Sequence, residues 1–115
     1  IDSSTHPLFS FSESTLKAFQ WHSYAFETPQ SAIRFATNQN TVNQGFIYNN
    51  NVVATQFHPE TTVAWVEQCL VDQSFPLATP ENSAHRQTST QVRRDTLHQP
   101  ALQGWYFRIL DQLLL

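Results

Sequence analysis

His58 and Glu60 are the two side chains of this 115-residue sequence whose types and spacing best suit acid–base chemistry. They stand two positions apart, directly after an apolar run over 52–57. A carboxylate that accepts a hydrogen bond from one imidazole nitrogen fixes the tautomer and leaves the other nitrogen free as a base. The pattern therefore predicts a base and its orienting group, although a histidine at the end of a strand is also compatible with a purely structural role.

A strand over 52–57 would have to carry this pair to the edge of a sheet. Pro59 ends the strand, because proline has no N–H for a ladder bond and restricts the residue before it. The asparagines at 49–51 predict a tight hairpin turn, since Asn tolerates positive φ better than other non-glycine residues. Short strands and this hairpin are therefore predicted over 19–57, with extended segments at 19–26, 32–37, 44–48 and 52–57.

Helical periodicity begins after the His-Pro-Glu sequence. Thr61 or Thr62 is a suitable N-cap for a helix over 62–72. A loop is predicted at 75–83 and a polar helix at 89–99. Pro100 either breaks this helix or begins the next helix. The last helix, 101–114, is strongly amphipathic and should pack on a core. Strands followed by helices indicate a small α+β domain or the second half of a larger α/β sheet.

Composition and charge exclude several classes of function. The net charge is −3 and the basic residues are scattered, which argues against binding of a nucleic-acid backbone. No apolar run approaches the length of a membrane span and the first residues do not form a signal peptide, so a cytoplasmic location is expected. His6, His85 and His98 lack the spacing of metal ligands, so neither a metal nor another cofactor is predicted.

Two absences suggest that the sequence is part of a longer chain. It contains two glycines, where average usage gives about eight. It also contains no methionine. A fragment or a processed chain is therefore expected.

An apolar strand runs into Gln-Phe-His-Pro-Glu at 56–60. Upstream of it lie Phe-Gln-Trp-His at 19–22, Phe-Glu-Thr-Pro at 26–29 and Asn-Gln-Gly-Phe at 43–46. These ordered motifs resemble the class I glutamine amidotransferase family, in particular stand-alone amidotransferases similar to GMP synthase. The first is similar to the family's C-terminal signature, the next two to its Trp-His-x-Asp-x-Phe-x-x-Pro segment, and the last to its Asn-Gln-(Ala/Gly)-Phe motif. The resemblance covers roughly 6–72.

This resemblance implies a fold, a substrate and a catalytic triad. The fold would be the C-terminal part of a flavodoxin-like α/β sheet. Residues 1–115 would form a single partial domain, in which 6–72 resemble the amidotransferase family and 73–115 are a C-terminal helical extension. The family uses a Cys–His–Glu triad to hydrolyse L-glutamine and supply ammonia, without a cofactor. His58 would be the base and Glu60 its orienting group.

The sequence departs from the family pattern in two places. The nucleophile of the family lies on a Gly-x-Cys-x-Gly turn, which is absent here, so this chain alone is expected to be inactive. Cys69 is the only thiol, and its position in a helix is typical of a small buried hydrophobic residue. Tyr24 replaces the aspartate of the Trp-His-x-Asp segment, while His22 matches its histidine. Both are candidates for binding substrate or lining the site, and His22 is equally compatible with a structural role.

Three functional hypotheses remain open at this stage. The first is an amidotransferase whose N-terminal half carries the cysteine. The second is a non-catalytic pseudo-amidotransferase or regulatory module, and the third is a relative that hydrolyses γ-glutamyl bonds. Half of a sheet exposes an edge, so the chain should need its N-terminal half or self-association for stability. A synthetase partner is a separate possibility. The segment 75–99, where the resemblance fades, is a candidate for such contacts.

Overall fold

The computed structural model describes residues 1–22, 24–72, 77 and 86–114. Strands precede helices, and the mixed α/β class expected from the sequence is confirmed. A short 3-10 helix, Pro7–Phe9, is followed by strands β1 (Ile33–Ala36), β2 (Gly45–Tyr48) and β3 (Val52–Thr55). The helices are α1 (Val63–Val71), α2 (Ser89–Asp95) and α3 (Gln99–Leu114), with a second 3-10 turn, Thr96–His98, between the last two.

The sheet is antiparallel throughout and its strand order is β1-β2-β3. Tyr48 pairs with Val52 across the predicted hairpin. Asn49 and Asn50 have φ values of 53° and 61°, which is the left-handed region that a tight hairpin requires of its turn residues. The hairpin prediction is therefore correct in position and in mechanism.

The extended segment predicted at 19–26 does not form a strand in its described part, 19–22 and 24–26. Its backbone groups bond to residues outside the sheet ladder. The Phe19 carbonyl accepts from the His58 N–H, and the Tyr24 carbonyl accepts from the Gln56 side chain. The alternation of aromatic and polar residues reflects these contacts with the chain near His58 and not sheet pairing.

Helix ends follow local capping chemistry. Thr62 caps α1, accepting a hydrogen bond from the Trp65 N–H at 3.0 Å. Thr88 and Gln91 form a reciprocal capping box at the start of α2. The predicted boundaries 89–99 and 101–114 are wrong, because α2 ends at Asp95 and α3 already begins at Gln99. Pro100 lies in the first turn of α3, where its missing N–H is not needed.

The predicted loop at 75–83 lies outside the described residues except for Leu77, and so does His85. The helices that the structure describes include none long and apolar enough to cross a bilayer.

The main hydrophobic core lies between the sheet and α3. Phe9 stacks on Phe35 with ring centroids 4.0 Å apart, and Trp105 packs against both rings. The buried members of this cluster are Leu8, Phe9, Phe35, Ala36, Ile47, Phe57, Leu102, Trp105 and Ile109. The amphipathic prediction for the last helix is correct for its inner stripe, but Leu114 is 84% exposed because it lies beyond the sheet-covering stripe.

A second, smaller cluster joins α1 to α2. Val66, Cys69 and Leu70 pack with Val92. On the outside, Arg93 donates to both carboxylate oxygens of Glu67 at 2.9–3.2 Å. This hydrogen-bonded ion pair lowers the pKa of Glu67 and raises that of Arg93. The ion pair links α1 to α2 at the surface.

Candidate functional site

His58 follows the last pairing strand by three residues, and three contacts fix its place. Its backbone N–H donates to the Phe19 carbonyl at 2.8 Å. Phe57, directly before it, is buried in the main core against Trp105. The Thr61 hydroxyl donates to the His58 carbonyl at 3.2 Å. The backbone at His58 is therefore anchored on both sides, which leaves the side chain as the part that faces the surface.

The imidazole of His58 lies between two oxygen atoms. Nδ1 is 2.9 Å from Oε1 of Glu60, and Nε2 is 2.8 Å from the carbonyl oxygen of Trp21. A neutral imidazole carries one N–H and can donate to one of these acceptors; both contacts are hydrogen bonds at once only when both nitrogens carry protons. The expectation that the second nitrogen is left free is therefore wrong for this conformation, because the Trp21 carbonyl occupies its open side.

An open cleft of about 460 Å³ lies beside this pair. Among the described residues, six line this cleft: Trp21, His58, Glu60, Thr61, Thr62 and Trp65. The two indole rings are 6.0 Å apart and form its apolar wall, while His58 and Glu60 supply the ionisable groups. The cleft thus combines an apolar surface with one acid–base pair, as binding sites for small molecules commonly do.

The two tryptophans that lie in helices, Trp65 in α1 and Trp105 in α3, differ in burial. Trp105 is buried, whereas Trp65 is 43% exposed and faces the cleft. The buried stripe of α1 runs through Val66, Cys69 and Leu70, and Trp65 lies one position outside it. A count of the helical period from Val66 would have placed Trp65 off the core face.

The Gln56 side chain forms hydrogen bonds with the backbone of the segment 24–26. Its side-chain Nε2 donates to the Tyr24 carbonyl at 3.1 Å, and its Oε1 accepts from the Phe26 N–H at 3.1 Å. The amide thus satisfies two backbone groups that have no ladder partner. This explains in physical terms why a glutamine suits the position before Phe57, which the sequence analysis used only as part of a motif.

His22 and Tyr24 lie near the site by sequence but not in the cleft as described. The His22 Nδ1 atom is 3.0 Å from the Tyr24 carbonyl oxygen, and both side chains are exposed. His22 borders a separate, larger groove. The Tyr24 side chain is 89% exposed. Their substrate-binding role stays a prediction.

Cys69 lies in the second hydrophobic cluster, where it is buried and not disulfide-bonded. It does not border the cleft. Among residues 1–22, 24–72, 77 and 86–114, no group of three histidine, cysteine, aspartate or glutamate side chains could hold a metal ion. The cleft therefore offers a base and a carboxylate, and no thiol from the described chain.

Gln99 is a further residue that sequence reasoning missed. Its amide reaches from α3 to the backbone of the turn that carries His58 and Glu60. The contact joins residues 41 positions apart in sequence, so no local pattern could have indicated it.

Comparison with known proteins gives a consistent assignment. A crystal structure of a glutamine amido transferase from Methylobacillus flagellatus is similar in fold, with a TM-score of 0.71 at 20% sequence identity. The match covers 84% of this chain and 41% of that one, so this chain spans less than half of its structural relative. A search of curated proteins gave no significant match. The profile of the family "Glutamine amidotransferase class-I" matches residues 1–75. The chain belongs to the class I glutamine amidotransferase family.

Proposed function

We propose that this chain supplies the base and the orienting carboxylate of a glutamine-hydrolysing active site, and that the cysteine nucleophile comes from residues outside this sequence. His58 is the base and Glu60 orients it. The observation that carries the proposal is the 2.9 Å contact between His58 Nδ1 and Glu60 Oε1 at the edge of an open cleft. Membership of the class I glutamine amidotransferase family supports L-glutamine as the substrate and ammonia as the product.

The chemistry assigns each proton to a group. His58 Nε2 takes the proton of the incoming thiol, and the thiolate attacks the side-chain carboxamide carbon of glutamine. The imidazolium then gives its proton to the departing nitrogen, so that ammonia leaves and a glutamyl thioester remains. Water, deprotonated by the same nitrogen, hydrolyses the thioester to glutamate and restores the thiol.

The Trp21 carbonyl has a defined part in this proposal. Its oxygen lies 2.8 Å from Nε2 and accepts a hydrogen bond when that nitrogen carries a proton, so an approaching thiol must replace this contact. The doubly hydrogen-bonded ring corresponds to the imidazolium that forms after the thiol has lost its proton. The segment around Trp21 therefore has to withdraw when the nucleophile approaches, and its return would stabilise the protonated ring.

The test is an assay of ammonia release from L-glutamine. We expect activity in the protein that includes a Gly-x-Cys-x-Gly segment, and none in its His58→Ala variant. His98, an exposed histidine on the turn before α3, provides the matched control His98→Ala, which should keep activity. Activity that persists in His58→Ala would contradict the role of His58.

A non-catalytic module is the second candidate function, and the position of Cys69 favours it. The one thiol of the sequence is buried between α1 and α2, so it cannot reach a substrate in the cleft. Under this reading the full protein binds its partners without releasing ammonia, from L-glutamine or from γ-glutamyl compounds. Ammonia release that depends on His58 excludes it.

A further inference from the structure

The backbone turn that carries His58 and Glu60 depends on donors from elsewhere. Pro59 has no N–H, and the residues 58–61 belong to neither a helix nor a strand. Carbonyl groups in such a turn need partners when they face the interior. The carbonyl oxygens of His58 and Thr61 face α3, and both accept hydrogen bonds from the side chain of Gln99.

The amide of Gln99 is almost completely buried and makes three short contacts. Its Nε2 lies 3.0 Å from the His58 carbonyl, 3.0 Å from the Thr61 carbonyl and 2.7 Å from the Thr61 hydroxyl oxygen. The side chain is 2% exposed. Because two of these partners are carbonyl oxygens, which only accept, the NH₂ end of the amide must face them. The orientation of the amide is thereby fixed.

The position of Gln99 in the fold makes it a rigid anchor. It is the first residue of α3, and the same helix buries Leu102 and Trp105 in the main core. Gln103 follows one helical turn later, and its Nε2 lies 3.4 Å from the Glu60 carbonyl oxygen, a long contact on the same side. The first two turns of α3 therefore present amide donors to the carbonyl groups of His58, Glu60 and Thr61.

We propose that Gln99 is a positioning residue for the acid–base pair, so that α3 sets the geometry in which Glu60 meets His58. The proposal rests on the proposed function for its catalytic meaning. Residue 99 lies outside the segment matched by the family profile, 1–75. The hydrogen bonds from Gln99 to the turn thus come from the C-terminal part of this chain.

The physical argument depends on how short the link between the two side chains is. His58 and Glu60 are two residues apart, so their separation follows directly from the dihedral angles of the turn. Gln99 bonds to the carbonyls of residues on both sides of Pro59 and Glu60, which fixes the turn at its two ends. Without these bonds the turn can relax, and the 2.9 Å contact of the side chains changes with it.

The experiment reads the His58 ring by NMR in the full 115-residue chain. Correlations between the carbon-bound ring protons and the two ring nitrogens show which nitrogen carries the proton. When the ring is neutral, the charged Glu60 should hold the proton on Nδ1 in the wild-type chain. Gln99→Met keeps the length of the side chain and removes the amide, and we expect it to lose the Nδ1–H preference.

Two control variants separate positioning from stability. Ile109→Val removes a methyl group from the core under the same helix and should lower stability without changing the His58 tautomer. Gln112→Met makes the same substitution at an exposed glutamine of α3 and should change neither property. An unchanged His58 tautomer in folded Gln99→Met would overturn the proposal, as would an equal loss of the preference in Ile109→Val.

A second variant serves if Gln99→Met does not fold. Thr61→Val removes the hydroxyl that contacts Gln99 at 2.7 Å and the hydroxyl donor to the His58 carbonyl. We expect a partial loss of the Nδ1–H preference in this variant, and a wild-type tautomer in it would overturn the proposal.

In the protein that includes its thiol, kcat of Gln99→Met should fall by about 10- to 100-fold with KM unchanged, as expected for misplaced reacting groups. A wild-type kcat in a folded Gln99→Met variant would overturn the proposal. Absence of all glutaminase activity would instead refute the proposed function, and the tautomer measurement would still decide the role of Gln99.

Discussion

At the scale of single residues, the balance between Glu60 and the Trp21 carbonyl decides what His58 can do. Both oxygens compete for the ring at similar distances, 2.9 and 2.8 Å. The carboxylate is the stronger acceptor because it is charged. His58 and Glu60 are partly exposed, so their pairing contributes little to folding. Substitutions of Glu60 should therefore affect chemistry far more than stability.

Glu60→Gln should lower the glutaminase rate of the thiol-bearing protein by up to about 10⁴-fold, the loss that follows when the orienting carboxylate of a catalytic triad becomes an amide. The amide keeps the shape of the carboxylate but cannot stabilise the imidazolium. The free energy of unfolding should stay close to that of the wild type. The measurements are ammonia release and urea unfolding, with the exposed Glu13→Gln as the matched control. A near-normal rate in Glu60→Gln would show that the carboxylate has no orienting role.

Gly45 is a second residue whose identity is fixed by its surroundings. A Cβ atom built there would lie 2.5 Å from Cζ of Phe35. Phe35 cannot yield easily, since it is buried between Phe9 and Trp105. Gly45→Ala should therefore destabilise the fold by about 1–3 kcal/mol, the usual cost of overpacking.

Urea unfolding measures this change. Gly104→Ala is the control, because a Cβ there meets no atom within 4 Å and alanine favours the helix. Equal stability of Gly45→Ala and the wild type would mean that the Phe35 ring moves more freely than its packing suggests.

At the scale of elements, α1 and α2 are joined by one small core and one ion pair. Val92 packs on the buried stripe of α1, and Arg93 next to it binds Glu67. The hydrogen bonds and the positive charge of Arg93 lower the pKa of the Glu67 carboxyl from its ordinary value of 4.5. The ion pair therefore stabilises the folded chain above that value, and this contribution is lost as the pH falls through the lower folded-state pKa.

Glu67→Gln should accordingly destabilise the chain at neutral pH, and its effect should shrink as the pH falls through the lowered folded-state pKa, below which the carboxyl is protonated in both states. The check is urea unfolding of both chains across this pH range. Glu27→Gln, at an exposed glutamate outside helices and strands, is the control. A difference between Glu67→Gln and the wild type that does not change with pH would show that the effect comes from side-chain packing.

At the scale of the whole molecule, the described strands leave a sheet with two edges. β3 pairs only with β2 among the strands that the structure describes, and Val52 on β3 is half-exposed. Unpaired strand edges with apolar side chains favour association with another chain. This agrees with the proposal that further residues of the domain, or a second copy of the chain, complete the structure.

The isolated chain should therefore show a sedimentation coefficient and an unfolding midpoint that rise with concentration. Val52→Lys places a charge at the edge strand and should reduce the association. Val71→Lys, at an exposed position on α1, is the control. Cooperative unfolding of a monomer at a midpoint independent of concentration would contradict this prediction.

Short-range features were readable from the sequence because neighbouring residues determine them. The asparagine turn at 49–51 and the Thr62 cap depend on side chains that bond to their own backbone within three residues. The positions of the three strands β1, β2 and β3 were correct within two residues at each end, as for Gly45–Tyr48 against the predicted 44–48. The segment predicted at 19–26 was the exception. The spacing of His58 and Glu60 by itself brought a base and a carboxylate together.

Only the tertiary structure decided which distant groups surround that pair. The Trp21 carbonyl at Nε2 and the amide of Gln99 each come from a segment remote in sequence. Their positions follow from how α3 packs on the sheet and from how the chain around Phe19 bonds to the backbone of His58, which no local pattern encodes. The sequence alone determined a histidine–glutamate pair at a strand end, whereas packing decided that the pair is held by α3 and covered by the Trp21 carbonyl.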